Sequence, residues 1–335
     1  MRRLLALSLG LAAFAAPAAA THPHSAHPPK AKQAHVKARG CSSTEAEMAD
    51  QVLLKLKERP DQLDATAARH LPWGPPIASY STQAEKRLVQ PDYVVSYDLN
   101  LRVPIWTAEQ VVASRLDDRI KRQDCFRQDP RLDADASSLP SDYKEPIYDQ
   151  GHLTPFADQR YSKIAGWNSF IMTNMAPQNC QLNRGIWQIL EQISRRWAAR
   201  HEPLYVFNGT VFDRDGDGRR DGDAAARHMA SKNGKARVAI PSAFYKVAAY
   251  EDADGTVESV AVLLPHDESN PQRQAALQYL DAHVTDLATI ARLTGLKLFP
   301  NARSVRESKT LWAFDGYQPN SLCHQKKAAA RRPGR

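Results

Sequence analysis

Three features are missing from this 335-residue chain: a Cys-x-x-Cys pair, an internal repeat, and any apolar run of membrane-spanning length after residue 20. Without paired cysteines a tetrahedral zinc site has no natural ligand set. Without repeats, solenoids and propellers are set aside. Without a later apolar run, nothing past residue 20 has the length to cross a bilayer as a helix. Cysteine itself is scarce, the full complement being Cys41, Cys125, Cys180 and Cys323. An even count suits two disulfides in an oxidising space, and three pairings are open. The expected one joins Cys125 to Cys180, beside the chemistry-bearing segments, and Cys41 to Cys323, tying the two ends together. Buried free thiols are the alternative.

The N-terminus points to export. Arg2 and Arg3 precede the apolar run from Leu4 to Phe14, and small residues close in Ala18-Ala19-Ala20 before Thr21. This is the layout of a secretory signal with an Ala-x-Ala cleavage site over residues 1–20. The expected location is therefore secreted or periplasmic, with no membrane partner. Residues 21–42 are rich in His, Pro, Ala and Lys and read as a disordered linker, in which His22, His24, His27 and His35 are solvated rather than metal-bound. Residues 324–335 carry Lys326, Lys327, Arg331, Arg332 and Arg335 and read as a basic disordered tail. The formal net charge of +8 falls to +6 once Arg2 and Arg3 leave with the signal. A basic exported protein is drawn to polyanions, nucleic acid among them.

Residues 43–323 are of a size for one α+β domain. Ser42 or Ser43 is placed to cap a helix through Glu45, Val52, Leu54 and Leu56 that ends at the Arg59-Pro60 step. Strand patterns run over Tyr93 to Tyr97, from Pro104-Ile105-Trp106, and over Leu204 to Phe207, Phe244 to Tyr250 and Val257 to Leu264. Asp254-Gly255 is a hairpin turn between the last two. Val284, Leu287, Ile290 and Ala291 recur at helical spacing, with Gly295 where a terminator belongs. The expected fold is α+β, a central and mostly antiparallel sheet flanked by helices.

Chemistry concentrates between Tyr148 and Arg195. Asp149-Gln150-Gly151-His152 comes first, then Asn174-Met175-Ala176-Pro177-Gln178, then Leu182-Asn183-Arg184-Gly185-Ile186-Trp187 followed by Glu191 and Arg195. Asn183, Trp187, Glu191 and Arg195 are four apart and drift slowly around one helical face, while Leu182, Ile186, Ile189, Leu190, Ile193 and Trp197 form a buried side. Phosphodiester hydrolysis needs a base for water, a divalent cation against the phosphate charge, and a group steadying the leaving oxygen. Histidine supplies the first, and an asparagine carboxamide oxygen is a hard ligand for the second. Taken singly, Asn183 would be a helix cap and Glu191–Arg195 an exposed ion pair. Together they make a hydrolytic set.

These motifs resemble the DNA/RNA non-specific endonuclease family, the sugar-nonspecific branch of the ββα-metal (His-Me finger) nucleases. Weaker similarity runs from about Asp92 to Pro300 and takes in Gln123 to Pro130 and Ile240 to Val247. The resemblance implies an embedded ββα-metal motif within residues 43–323, Mg²⁺ (or Mn²⁺) as cofactor, DNA and RNA as substrates, and 5′-phosphate products; a homodimer is left open. It implies that His152 is the general base and Asn183 the one direct protein ligand of the metal. Glu191 matches the carboxylate holding a water on that metal, Arg195 an arginine near the phosphate, and Asn174 an asparagine orienting the catalytic groups. Arg122 is the candidate for a further phosphate-binding arginine, with Arg127 close enough to be confused with it. Gln150 stands where the motif usually has arginine. An amide brings no positive charge to the phosphate, so the change is expected to tune rate or substrate preference.

Asp213-Arg214-Asp215-Gly216-Asp217-Gly218, continuing to Asp221 and Asp223, matches the first half of an EF-hand-like loop, with Ala224 where the bidentate acid would stand. A structural Ca²⁺ on Asp213, Asp215, Asp217, Asp221 and Asp223 is one expectation, a solvated acidic loop the other. The functional alternatives are accordingly a catalytically weak or inactive nucleic-acid-binding protein that keeps the nuclease fold, and a calcium-stabilised surface interaction protein.

Overall fold

The computed structural model describes residues 38–116, 120–230 and 237–317. The expected signal, most of the linker, the basic tail and Cys323 lie outside the described residues.

The first helix, α1 (Ser43–Lys57), is capped by Ser42, whose Oγ accepts from the Glu45 main chain at 3.2 Å while Glu45 Oε2 accepts from the Ser42 N–H at 2.8 Å. Such a reciprocal cap contributes about 1 kcal/mol. Pro60 does more than end this helix. It opens a second one, α2 (Pro60–His70), as a residue whose missing N–H is no loss in a first turn.

The strands of the main sheet and of the pair that carries the site are β1 (Glu85–Val89), β2 (Val94–Asp98), β3 (Val103–Val111), β4 (Tyr148–His152), β5 (Met175–Asn179), β6 (Leu204–Val211), β7 (Ala243–Glu251), β8 (Val257–Pro265), β9 (Val284–Thr285) and β10 (Val305–Glu307). An eight-stranded sheet runs β9-β8-β7-β6-β3-β2-β1, with β10 beside β8. Every pairing in it is antiparallel except β8 with β10. The Asp254-Gly255 turn joins β7 to β8 as expected, Gly255 taking a positive φ of 81°. The central strands are buried on both faces, which is why they read as continuous apolar runs rather than as alternations.

A separate two-stranded hairpin, β4 with β5, puts His152 opposite Met175 and Gln150 opposite Pro177. The chain then turns at Asn179, whose side chain accepts from the Gln181 N–H at 2.9 Å, and enters the irregular helical turn Asn183–Trp187 and the helix Gln188–Arg200. Strand, strand and helix in that arrangement are the ββα unit. Ile189, Leu190, Ile193 and Trp197 on the helix are fully buried, each aliphatic side chain stabilising by roughly 1.5–3 kcal/mol relative to exposure. Trp187 meets Phe244 of β7 at 5.8 Å between ring centroids, so the helix is fastened to the sheet at its first turn. The sheet thus holds the helix, and the helix holds the hairpin.

Neither expected disulfide pairing survives. Cys41 is bonded to Cys125, and Cys180 is also disulfide-bonded. The reason is the path of the segment before α1, which runs back along Cys125-Phe126. Arg39 and Phe126 exchange both main-chain hydrogen bonds at 3.0 Å. Gly40, at φ 93°, lies so close to Asp124 that a Cβ there would stand 1.9 Å from its carbonyl oxygen. The expected linker boundary at residue 42 therefore falls too late, because Arg39 to Ser42 are already part of the domain.

Candidate active site

The hairpin and the helix enclose a cleft of about 580 Å³. His152, Gln150, Asn183, Glu191, Arg195 and Arg122, six of the residues expected to act together, all line it. Five arginines face it against three acids, so its field favours an anion.

His152 ends β4 with its ring wedged between aromatic walls. Phe170 meets it edge-on at 4.7 Å and Phe126 at 6.1 Å. Burial, reinforced by the nearby Arg122 cation, holds the imidazole pKa well below its usual 6.5, so the ring is neutral at physiological pH. It contacts the Gln150 main chain, while Nε2 is buried with no hydrogen-bond partner among the described residues. Leaving a buried ring nitrogen unpaired costs roughly 1–3 kcal/mol. A neutral imidazole with one nitrogen oriented and the other open is an unengaged base.

Asn174 does not line the cleft. It is fully buried behind it, accepting from the Thr154 N–H at 2.9 Å and donating to the Thr154 and Ser169 carbonyls at 2.8 Å each. It clamps the turn that follows His152, which is a positioning role. Gly151 is required at the same place, since a Cβ there would stand 2.0 Å from Gln178 Oε1.

Asn183 sits inside the helical run, not at its cap, which Asn179 supplies. Its Nδ2 donates to Asp149 Oδ2 at 2.9 Å. A carboxylate only accepts, so this contact assigns the amide and leaves Asn183 Oδ1 as an acceptor without a partner among the described residues. Asp149 is itself gripped by Arg184 through two hydrogen bonds of 2.7 and 2.6 Å. Further along the same helical run, Glu191 adds a carboxylate to the cleft lining. The donor set is sparse, hard and all oxygen, and it fits a divalent cation such as Mg²⁺ that keeps most of its waters.

Glu191 is pushed up to about 7 by burial, against the pull of Lys246 and Arg195. Arg195 does not close an ion pair with it along the helix but reaches Asp158 at 2.9 Å. Burial opposes the charge on Arg195, yet Asp158 and Glu191 hold it firmly protonated. Beneath this wall lie two more buried titratable groups, both pushed toward their neutral forms by burial. Lys246, 5.0 Å over the Trp187 ring, donates to Asn208, and Glu109 accepts from Gln159 at 2.9 Å.

The two candidate phosphate arginines part company. Arg122 is exposed in the cleft, bonded to Asp124 at 2.7 Å and standing 5.0 Å over the Phe170 ring. Arg127 is buried and does not line the cleft. Its guanidinium is consumed by Asp50 at 2.7 Å, the Trp167 carbonyl at 2.7 Å and Asn168 Oδ1 at 2.5 Å. The expectation that Arg127 binds substrate is corrected: it ties α1 to the helix Lys163–Ser169. Sequence reasoning also missed Arg39, Arg160, Arg184 and Asp158. Arg184 had a signal, lying next to Asn183 in the motif; Arg39 had none.

In the acidic loop after β6, carboxylate oxygens of Asp213, Asp215 and Asp217 lie within 4.8 Å of one another. Asp221, which accepts from the Arg214 N–H, and Asp223, which pairs with Arg220, are not in that group among the described residues. None of them lines the cleft.

A basic cleft on a ββα frame that gathers a neutral histidine with amide and carboxylate oxygens has the chemistry of a hydrolytic site. Residues 76–304 match the DNA/RNA non-specific endonuclease family, and the chain belongs to it: it is an endonuclease, a phosphodiester hydrolase, of a family that is metal-dependent. Endonuclease G, mitochondrial, of Homo sapiens is 32% identical over 213 residues, 62% of this chain and 68% of that protein. Nuclease C1 of Cunninghamella echinulata var. echinulata is 29% identical over 213 residues, 62% of this chain and 81% of its own length. Nuclease EXOG, mitochondrial, of Homo sapiens is 26% identical over 232 residues, and the chain spans 60% of its length. The fold is similar to a chain in the crystal structure of the EndoG/EndoGI complex, with a TM-score of 0.56 at 24% identity, covering 71% of this chain and 95% of that one.

Proposed function

We propose that this protein is a Mg²⁺-dependent endonuclease that cuts both DNA and RNA with little sequence preference. The observation that carries the reading is His152, neutral by burial and unpaired at Nε2, in one cleft with an Asn183 carboxamide oxygen that has no partner among the described residues. Asn183 Oδ1, with Glu191 lining the same cleft, would hold the cation, which when bound would offset charge on the phosphate and the leaving oxygen. His152 takes the proton of the attacking water at Nε2, and its contact to Gln150 keeps the ring aimed. Arg195, steadied by Asp158, and Arg122 set the phosphate against that base.

Supercoiled plasmid, linear duplex, single strands and RNA incubated with the purified protein test the reading. Cleavage of all of them with Mg²⁺, lost with EDTA, is the expected result. A chain that binds these polymers but leaves them intact is the binding-only alternative, and that outcome sinks the proposal. We also propose export to the periplasm or beyond, although two of the relatives above are named as mitochondrial. Its support is the Arg2-to-Ala20 pattern together with the Cys41–Cys125 bond, which persists in oxidising compartments. Fractionation of the producing cells, with sequencing of the mature N-terminus, decides it.

A further inference from the structure

Position 150 carries glutamine, and its side-chain oxygen is already occupied: the Arg39 guanidinium donates to it. Arg39 comes from the far side of the sequence, 111 residues away, and reaches the cleft because its backbone is docked from three directions. It exchanges two main-chain hydrogen bonds with Phe126. The glycine after it fits against Asp124 where no side chain would. Next in line, Cys41 is bonded to Cys125. The guanidinium lies 5.0 Å over the Phe126 ring, the same ring whose edge faces His152 at 6.1 Å.

The charge arrangement in the cleft singles this residue out. Arg122 is paired with Asp124, Arg184 with Asp149, and Arg195 with Asp158. Arg160 lies against the Ile120 carbonyl among its contacts. Arg39 lines the same cleft and makes no ion pair among the described residues. Its partner is a neutral amide oxygen, which orients a cation without cancelling it. An exposed guanidinium with an uncompensated charge, steered by an amide and an aromatic face, is built to meet an oxyanion bidentately.

We infer that Arg39 is a substrate-contacting residue of this cleft, supplying to the phosphate the positive charge that Gln150 does not bring. The inference rests on the nuclease reading for the identity of the anion. It also accounts for glutamine at 150, where a second guanidinium would face the first across a hydrogen-bond distance and repel it.

The test uses the full chain with four variants: Arg39→Ala, Arg39→Lys, Gln150→Arg, and Arg39→Ala combined with Gln150→Arg. Cleavage of a short duplex is measured with Mg²⁺, and duplex binding by anisotropy is measured across salt concentrations with His152→Ala added to each. Arg39→Ala is expected to lower kcat/KM by roughly 10- to 100-fold, as for loss of a hydrogen bond to a charged group. The slope of log affinity against log salt should shrink by about 0.9, one phosphate contact. Arg39→Lys should keep the salt slope while losing part of the rate. Gln150→Arg alone should gain little, whereas the same change with Arg39→Ala should recover most of the loss. A wild-type rate and slope in Arg39→Ala would overturn the inference. So would a lowered rate with an unchanged slope and no recovery in the double variant, since that pattern means a structural role. If the parent protein fails to cleave at all, the nuclease reading falls, and the salt slopes still report on Arg39 independently.

Discussion

The two walls of the cleft apply the same force to two different acids and obtain opposite results. On the hairpin side, Phe126 and Phe170 desolvate His152, and the imidazole loses its proton. On the helix side, burial over the Glu109 and Lys246 layer pushes Glu191 up to about 7, so this carboxyl tends to keep its proton. Burial favours the neutral form in both cases. For a base, neutrality is readiness. For a carboxyl that would help to hold a hydrated cation, neutrality is an obstacle, since the charged form would have to be restored on binding. On the proposed function, one wall is finished without a cofactor and the other would be completed by one.

Replacing the finished wall's working group should have the largest effect. His152→Ala is expected to lower kcat by at least ~10²–10⁴-fold, with duplex affinity nearly unchanged. Single-turnover cleavage beside anisotropy reads both quantities, and a variant cutting at the parent rate removes His152 as the base.

Asn183→Ala attacks the unfinished wall. The Mg²⁺ concentration for half-maximal rate should rise about tenfold, in the range seen when a metal site loses support, and excess Mg²⁺ should restore part of the rate. An unchanged Mg²⁺ titration would mean that Asn183 is not a ligand.

The smallest effect is on stability. Because Glu191 is raised from 4.5 to about 7, the folded chain holds this proton more tightly than the unfolded one. Its contribution is full below pH 4.5 and is lost as pH rises through about 7. In EDTA the parent Tm should therefore decline across that window by a few degrees more than that of Glu191→Gln. Mg²⁺ at pH 8 should narrow the difference. Parallel Tm curves for the two proteins would show that Glu191 is not held protonated.

Much of this was legible before any coordinates. The helix face carrying Asn183, Glu191 and Arg195 follows from spacing within the 48 residues from Tyr148 to Arg195, whereas the paired strands Tyr148–His152 and Met175–Asn179 were expected only through the family resemblance. Within such a segment, period-two and period-3.6 geometry decide which side chains share a face. The apolar stripe Ile189, Leu190, Ile193 and Trp197 was readable for the same reason, and all four are buried. So was the left-handed terminator Gly295, at φ 70°. What local periodicity does not carry is the fate of residues whose partners are distant. Arg122 and Arg127 are five apart in one polar stretch, and only the packing of α1 decides that one meets Asp50 in the interior while the other stays in the cleft.

The sequence by itself determined the family, and with it the class of chemistry, because His152, Asn174, Asn183 and Glu191 stand in one short run of motifs whose helix face is set by local periodicity. Only the tertiary structure decided which cysteines join, which arginines are consumed in the interior, and that Arg39 enters the cleft beside Gln150. Those outcomes depend on bringing together segments about a hundred residues apart, and the contacts that reward such closure belong to the folded surface rather than to any local pattern.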